Sequence, residues 1–224
     1  MVQRFQNAEN PILFSDRDTA GAHLAQAVLK EIQMVPQPYP RIVYALPRGG
    51  LPIALPVARS LECPLEVLVA KKITRPSEPE LAIGAVTADG HVLQTSSRLS
   101  IGSEEWQEAV KRAQAKAQQQ LAHFAQHPQI GADGAIALLV DDGIATGMTI
   151  AVAAKALREQ HPREIWICAP VVPASMINVL KHWCDRAIVL ATPTRFLSVS
   201  RFYQSFPQLS TEEALAYLKK STQA

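Results

Sequence analysis

The sequence predicts an α/β protein with a doubly wound, mostly parallel five-stranded sheet. Short apolar segments rich in β-branched residues alternate along the chain with longer segments of helical periodicity, which is typical of repeated β-α-β units. The apolar segments are continuous rather than alternating with polar residues, as expected for strands that are covered by helices on both faces. The predicted strands are 41–46, 65–71, 135–140, 164–170 and 186–191.

Helical periodicity fills the segments between these strands. An opening helix is expected before the first strand because Leu24, Val28 and Leu29 form one apolar stripe. A capping box at Ser210 and Glu213 predicts the start of a terminal helix. The other predicted helices have apolar residues spaced three or four apart. The predicted helices, apart from the terminal one, are 18–33, 51–61, 103–124, 147–160 and 174–182.

Two segments lie outside the repeating pattern. Residues 72–94 contain two prolines and several charges, followed by two strand-like segments joined at Asp89-Gly90, so we expect a mobile loop that leads into a hairpin. Residues 192–218 follow the last strand and are rich in aromatic residues. No internal repeat or long linker divides the chain, so we expect one domain over residues 1–224, with a core at about 12–191.

Composition narrows the class of protein. The 224 residues carry a formal net charge of +2 without a block of like charges, which argues against nucleic acid or an anionic membrane as the main partner. No apolar run approaches the ~20 residues of a membrane-spanning helix, and the first residues do not resemble a signal peptide. The three cysteines form no C-x-x-C pair, which favours buried thiols in a reducing cytoplasm.

The most informative segment is "ALLVDDGIATGMTI", residues 137–150. Asp141 and Asp142 follow a predicted strand directly, at the edge of the sheet where open α/β proteins bind ligands. The glycine and threonine residues that follow can form a loop whose N–H groups, with the start of the next helix, bind a phosphate. Because carboxylates repel a phosphate, the acids and the loop must bind different parts of one ligand. A ribose 5-phosphate, with its vicinal hydroxyls, meets this requirement.

The same segment resembles the phosphoribosyl pyrophosphate (PRPP) signature of the type I phosphoribosyltransferases. The resemblance covers about residues 12–218 and is closest to stand-alone bacterial predicted phosphoribosyltransferases whose acceptor is unassigned. It implies that Asp141 and Asp142 bind the ribose hydroxyls and act in catalysis. The motifs of other phosphate sites, G-x-x-x-x-G-K-[ST] and G-x-G-x-x-G, are absent from the sequence. The resemblance implies that the 5-phosphate is bound by Gly143, Ile144, Ala145, Thr146, Gly147, Met148 and Thr149.

The resemblance also implies a pyrophosphate site on two neighbouring segments. In "LPRGGLPIA" (46–54), Arg48 would supply charge while Gly49 and Gly50 allow close backbone approach, and a non-proline cis peptide bond is common there in the superfamily. Lys71 and Lys72 match an Arg-Lys pair of many relatives, and Lys72 is implied as a catalytic residue. An ordinary turn with a solvated Arg48, and solvated lysines at a strand end, remain the alternatives.

The resemblance implies further parts of a phosphoribosyltransferase. The segment after Lys72 corresponds to a flexible loop that closes over the reacting centre and excludes water. Mg²⁺ is the implied cofactor, held mainly by PRPP and water without direct protein ligands. None of the six histidines forms a metal-ligand pair on one helix face. Homodimers are usual in the superfamily, although nothing in these residues requires one.

The acceptor is the least defined part of the prediction. In the superfamily a variable hood from the chain ends contacts the acceptor base, and residues 192–218 are the candidate hood here. Its aromatic residues could stack on a flat ring, or they could bury the terminal helix against the sheet. The acidic residue that reads the base edge in hypoxanthine-guanine enzymes has no clear counterpart. The candidate acceptor contacts are Phe196, Phe202, Tyr203 and Phe206.

Three functions therefore remain open. The first is an Mg²⁺-dependent transferase that uses PRPP and a small nitrogenous, nucleobase-like acceptor. The second is a regulator that keeps a PRPP site as a sensor with lost or reduced catalysis; a DNA-binding version is disfavoured because no helix-turn-helix pattern is present. The third is a doubly wound binding module whose acidic corner holds only Mg²⁺, which is disfavoured because a phosphorylatable aspartate at a separate strand end is missing.

Overall fold

The structure is a computed structural model that describes residues 12–75, 78–95, 103–124 and 130–221. The described strands are β1 (Arg41–Ala45), β2 (Leu65–Val67), β3 (Ala70–Arg75), β4 (Glu78–Thr87), β5 (Val92–Gln94), β6 (Ile136–Val140), β7 (Glu164–Val171) and β8 (Arg186–Ala191). The described helices are α1 (Arg17–Ile32), α2 (Gly50–Ser60), α3 (Ser103–Ala122), α4 (Met148–Arg158), α5 (Ile177–Leu180) and α6 (Thr211–Ser221).

A five-stranded parallel sheet with the order β2-β1-β6-β7-β8 confirms the predicted fold class. Strands β1 and β6 pair in register from Arg41 opposite Ile136 to Ala45 opposite Val140. The backbone N–H of Leu46 then donates to the carbonyl oxygen of Val140 at 2.9 Å. As a consequence, the loops that follow β1 and β6 leave the same edge of the sheet side by side.

Helices cover both faces of this sheet, as the continuous apolar strands predict. Within β6, Ile136, Leu138 and Val140 pack into the cluster that contains the apolar residues of α1 and α2. The alternate residues Ala137 and Leu139 pack into the cluster on the opposite face, with α4. Since successive side chains of a strand point to opposite faces, five apolar residues in a row require both helical layers.

The helix boundaries lie within a few residues of those predicted. Asp16 caps α1 by accepting a hydrogen bond from the N–H of Thr19 at 2.7 Å. The capping box of α6 is confirmed, because Ser210 and Glu213 exchange hydrogen bonds of 2.7 and 3.1 Å. The predicted helix 174–182 is reduced to a 3-10 turn followed by the short α5. Among the described residues, no helix combines the length and the apolarity needed to cross a membrane.

The segment after β2 differs from the prediction. The predicted strand 65–71 divides at residues 68–69: β2 stays in the parallel sheet, while β3 joins β4 and β5 in a separate antiparallel sheet. Residues 72–94, predicted as a mobile loop that leads into a hairpin, are therefore largely sheet from their start, with residues 76–77 outside the described part. The hairpin at Asp89-Gly90 is confirmed by the β4–β5 pairing. Prolines and charges suggested a loop, whereas the described residues of this segment form strands whose register is irregular around Thr74.

The small sheet is stable because helices cover it. Its buried residues Ile73, Ile83 and Val86 pack against Ala109 and Ala113 of α3. Helix α4 contacts the same sheet, so α3 and α4 together hold β3–β5 beside the parallel sheet. The continuation of the predicted second strand is β3, which belongs to the separate antiparallel sheet. The short apolar pattern of residues 65–71 does not reveal this change of sheet.

The two ends of the described chain meet near the carboxyl edge of the parallel sheet. The N–H groups of Leu13 and Phe14 donate to the carbonyl oxygen of Phe202 at 2.9 and 3.1 Å. The N–H of Gln204 donates to the carbonyl oxygen of Phe14 at 2.8 Å. The segment before α1 therefore pairs with residues 202–205 of the predicted hood.

A glycine substitution tests the packing of α3 on the small sheet. A Cβ atom at Gly84 would lie 2.6 Å from the carbonyl oxygen of Leu93 and 2.9 Å from the Trp106 ring. We expect Gly84→Ala to lower the free energy of unfolding by about 1–3 kcal/mol, measured by urea unfolding. Gly131→Ala is the control, because its Cβ would have no neighbour closer than 3.9 Å. Equal stability of the two variants would contradict this packing.

Candidate functional site

The acidic pair lies where β6 ends. The N–H of Asp141 donates to the carbonyl oxygen of Cys168 in β7 at 3.4 Å, which continues the sheet for one more residue. The N–H of Asp142 donates to the Oδ1 atom of Asp141 at 2.9 Å. Both acids therefore stand at the carboxyl edge of the sheet, which is the edge predicted for the ligand.

The loop after the acids is held at both ends. Ile144 is buried and its N–H donates to the carbonyl oxygen of Val171 at 3.0 Å. Gly147 caps α4 with φ at +72°, and a Cβ there would lie 2.7 Å from the Trp183 ring. Within the described residues, we find no acceptor for the N–H groups of 145–147. These groups precede a helix, so the loop can bind an anion.

The loop between β1 and α2 lies against the acidic pair. Its Pro47–Arg48 peptide bond is cis, as in the superfamily that the sequence resembles. A Cβ at Gly49 would lie 2.0 Å from the Oδ2 atom of Asp142, and a Cβ at Gly50 would lie 2.8 Å from the carbonyl oxygen of Val140. At Gly50 the neighbouring atom belongs to the backbone, so the close approach there requires glycine. The two predicted ligand loops therefore lie against each other.

Arg17, at the start of α1, contacts the acidic pair from a third direction. Its Nε atom donates to the Oδ2 atom of Asp142 at 2.8 Å. Its Nη1 atom donates to the carbonyl oxygen of Pro207 at 2.8 Å, and its guanidinium carbon lies 3.6 Å from the centroid of the Phe206 ring. Tyr203 also reaches this site, since its hydroxyl donates to the carbonyl oxygen of Asp142 at 2.6 Å.

Burial governs the ionisation of both acids. Desolvation raises the pKa of Asp141 well above its ordinary value, and the negative charge of Asp142 raises it further. Burial also raises the pKa of Asp142, while the hydrogen bond and charge of Arg17 oppose that increase. A ligand that donates hydroxyl hydrogens to the acids would favour their charged forms and reverse this effect.

Basic side chains stand beside the two loops. Arg48 and Lys72 are exposed, and Lys71 is half-buried. Desolvation lowers the pKa of Lys71, and the positive charges of Arg48 and Lys116 lower it further. Lys116 lies on α3 and was not predicted. The mutual repulsion of these cations favours binding of an anion between them.

The predicted acceptor contacts have different surroundings. Phe202 and Tyr203 are buried, with 2% and 4% of their surface exposed. Phe196 stacks on Phe202 at a centroid distance of 5.5 Å, and Phe206 lies 4.9 Å from Tyr203. Phe202 and Tyr203 therefore take the packing role that the sequence left as the alternative. Phe196 and Phe206 are half-buried, and the Phe206 ring already faces Arg17.

The acidic side chains at this edge are too few to form a metal site of their own. In the parts of the chain that the structure describes, no group of three or more His, Cys, Asp or Glu side chains could hold a metal ion. One oxygen of Asp142 is already engaged by Arg17.

A doubly wound parallel sheet with two ligand loops at its carboxyl edge places the protein among the open α/β proteins. The family comparison is more specific. The chain belongs to the phosphoribosyl transferase domain family, whose model matches residues 19–188. The match includes both loops, the acidic pair and the small sheet.

Individual relatives are consistent with the family. The chain is 35% identical over 214 residues to provisionally named phosphoribosyl transferases of two Mycobacterium tuberculosis strains. The match covers 93% of this chain but 47% of each relative, so the chain spans about half the length of the curated relatives it matches. The crystal structure of TT1426 from Thermus thermophilus is similar, with a TM-score of 0.77, 29% identity and coverage of 92% of this chain and 98% of that chain.

Arg17 and Tyr203 show what sequence reasoning missed. Arg17 shares the face of α1 that carries Ala20, Gly21 and Leu24, all of them buried. A cation within an apolar helix stripe is a signal for a buried partner, because an unpaired buried charge is costly. Tyr203 was assigned to the hood as a stacking residue, whereas its hydroxyl hydrogen-bonds the backbone of the acidic pair.

The two acids should respond oppositely to neutralisation. In the unliganded protein near neutral pH, Asp141→Asn should raise the free energy of unfolding, because it removes a buried charge next to Asp142. Asp142→Asn should lower it by about 1–3 kcal/mol, because buried Arg17 loses its carboxylate partner.

Urea unfolding over a range of pH measures both effects. Because the folded-state pKa of Asp141 is raised, the folded protein binds more protons than the unfolded chain, and stability falls as pH rises through that pKa. Asp141→Asn should reduce this fall. Changes of the same sign and size in the free energy of unfolding of both variants would contradict the different electrostatic environments assigned to Asp141 and Asp142.

Proposed function

We propose that the protein transfers the 5-phosphoribosyl group from PRPP to a nitrogenous, nucleobase-like acceptor and releases pyrophosphate. The observation that carries the proposal is the contact surface of the two loops. An added Cβ at Gly49 would lie 2.0 Å from the Oδ2 atom of Asp142, and the N–H groups of 145–147, which precede α4, have no protein acceptor among the described residues. Membership in the phosphoribosyl transferase domain family supports this interpretation.

The parts of the ligand are divided between the loops. Asp141 and Asp142 accept hydrogen bonds from the 2- and 3-hydroxyls of the ribose. The 5-phosphate binds the loop over residues 143–149 through the N–H groups of 145–147, with the hydroxyls of Thr146 and Thr149 as further donors. Repulsion between carboxylates and phosphate keeps the two ends of the ligand apart, which fixes the direction of the sugar across the sheet edge.

The reaction exchanges one bond at C1 of the ribose for another. The bond from C1 to the pyrophosphate oxygen breaks with its electron pair, and the acceptor nitrogen forms a new bond to C1 from the opposite face. Positive charge develops on C1 and the ring oxygen, and the potential of Asp141 and Asp142 stabilises it. Arg48, Lys71 and Lys72 neutralise the leaving pyrophosphate, and Lys116 adds to the same positive field.

Mg²⁺ is proposed as the cofactor on the grounds of ligand chemistry. It would neutralise charge on the pyrophosphate oxygens, which would supply most of its ligands together with water. The acidic pair suits this arrangement, since Asp142 has one oxygen engaged by Arg17 and the other without a hydrogen bond to a described residue.

The acceptor side is proposed more coarsely. Residues 192–218 form the hood, and half-buried Phe196 is its best-placed stacking residue because Phe202 and Tyr203 are buried in packing. The outer parts of β3 and β4, beyond Lys72, are proposed to close over the reacting centre. Closure would exclude water and so limit hydrolysis of PRPP.

The first experiment tests PRPP binding by calorimetry with Mg²⁺ present. Asp141→Asn should abolish binding without unfolding the protein, because the charge of its carboxylate is lost while its backbone N–H still donates to the carbonyl oxygen of Cys168. Asp133→Asn is the control, since this exposed acid lies at the opposite end of β6. Equal affinity of the wild type and Asp141→Asn would remove the site assignment.

The second experiment separates transfer from sensing. The wild-type protein is incubated with PRPP, Mg²⁺ and a panel of nucleobases, and pyrophosphate release is followed. Release that depends on one acceptor supports the transferase. Tight PRPP binding without release across a broad panel would favour a PRPP-sensing regulator instead.

The pyrophosphate site makes a separate pH prediction. Because the pKa of Lys71 is lowered, its charge should be lost on raising the pH before that of an ordinary lysine. Lys71→Arg should therefore retain pyrophosphate affinity to a higher pH than the wild type, since a guanidinium stays protonated. Calorimetric titration with pyrophosphate measures this, with exposed Lys30→Arg as the control. Identical pH profiles for all three proteins would exclude Lys71 from the site.

A further inference from the structure

Arg17 has an unusual position for an arginine. It begins α1 on the helix face that packs against the core, and only 9% of its surface is exposed. It belongs neither to the acidic corner formed by Asp141 and Asp142 nor to the loop after β1. Its side chain nevertheless reaches both Asp142 and the hood. A buried cation is costly unless its donors and charge are matched, so its partners indicate what it does.

Three contacts hold the guanidinium group. The Nε atom donates to Asp142 Oδ2, the Nη1 atom donates to the carbonyl oxygen of Pro207, and the planar group lies over the Phe206 ring. Asp142 belongs to the acidic corner, whereas Pro207 and Phe206 belong to the hood. Arg17 is therefore one rigid link between the ribose side and the acceptor side of the site.

The contact to Asp142 selects one of its two carboxylate oxygens. The Oδ2 atom is engaged by Arg17 and faces Gly49, while the Oδ1 atom makes no hydrogen bond to any residue within the described ranges. The backbone of Asp142 is fixed as well, by the hydroxyl of Tyr203. With the backbone and one oxygen held, the position of Oδ1 is determined.

We propose that Arg17 is a positioning residue that fixes Asp142 Oδ2, presents Asp142 Oδ1 to a ribose hydroxyl, and ties the ribose site to the hood at Phe206 and Pro207. The proposal rests on the PRPP-binding function proposed above. It assigns to α1 a part in ligand binding, although no residue of α1 need touch the ligand.

The same geometry gives a pH signature that a purely structural role would not. Without the charge of Arg17, burial would raise the pKa of Asp142 further, so that more of the carboxyl is protonated near neutral pH. Asp141 and Tyr203 are further titratable residues beside Asp142. The negative charge of ionised Asp141 acts in the same direction, whereas burial raises the pKa of the Tyr203 hydroxyl and keeps it neutral near neutral pH. The ionised form, which accepts from ribose, would then be recovered only at higher pH.

The test compares Arg17→Met, which keeps an unbranched apolar stem without the charge, with Arg17→Lys, which keeps the charge without the planar fork. PRPP affinity is measured with Mg²⁺ from about pH 5.5 to about pH 9, a range that spans neutral pH. Arg17→Met should bind PRPP about tenfold to a hundredfold more weakly at the acidic end and recover as pH rises. Arg17→Lys should restore much of the wild-type pH profile.

Two controls separate this effect from general damage. In the proposed binding mode pyrophosphate is held by Arg48, Lys71 and Lys72 and not by Asp142, so Arg17→Met should bind pyrophosphate as the wild type does. Arg59→Met removes another arginine that donates to a backbone carbonyl, that of Lys220, far along α2 from the site, and should leave PRPP binding unchanged. If Arg17→Met binds PRPP with wild-type affinity and pH dependence, the inference is wrong.

Titration of the Asp142 carboxyl tests the positioning role of Arg17 without requiring that PRPP binds. Carbon NMR of labelled aspartate side chains reports the pKa of Asp142 in the wild type and in both variants. Arg17→Met should raise this pKa and Arg17→Lys should raise it less, and an unchanged pKa would overturn the positioning role. If the wild type fails to bind PRPP while this shift is observed, the proposed function fails and the link between Arg17 and Asp142 stands.

Discussion

Asp141 and Asp142 lie side by side at the end of a buried strand, where desolvation and mutual repulsion both oppose their ionisation. Three neighbouring residues stabilise or accommodate one of these acids, Asp142. Arg17 supplies a positive charge to one carboxylate, Tyr203 holds the backbone of the same residue, and Gly49 leaves room for its side chain. The acid farther from Arg17 keeps the larger electrostatic penalty, which a hydroxylated ligand can relieve.

The parallel sheet and its helices follow from local properties of the sequence. Strand β6 is predicted well because five consecutive apolar residues can all be buried only where helices cover both faces of the sheet. The two acids that follow mark the end of the strand. The boundary between β2 and β3 is not predicted, because the division at residues 68–69 depends on α3 and α4 covering a second sheet. Short apolar patterns do not say which sheet a strand will join.

The candidate site likewise has a part that can be predicted from the sequence and a part that cannot. The acidic pair and the loop over residues 143–149 can be recognised because they are contiguous and their chemistry is compact. Arg17 and Lys116 come from distant helices, and only the fold brings them to the site. The aromatic residues of the hood illustrate a different limit: their composition fits both stacking and packing, and burial of Phe202 and Tyr203 in the structure favours packing for those two.

The contacts of Arg17 also bear on how the site is completed during folding. In the sequence, Arg17 is separated by 125 positions from Asp142 and by 190 positions from Pro207. Closing such long loops costs conformational entropy that shorter-range contacts must first offset, and β1, α2 and β6 lie within the intervening chain. We therefore expect the acidic corner to form with the sheet and to acquire its final electrostatic environment only when both ends of the described chain have docked. Intermediates that have a native-like sheet would thus lack the contacts of Arg17 to Asp142 and Pro207.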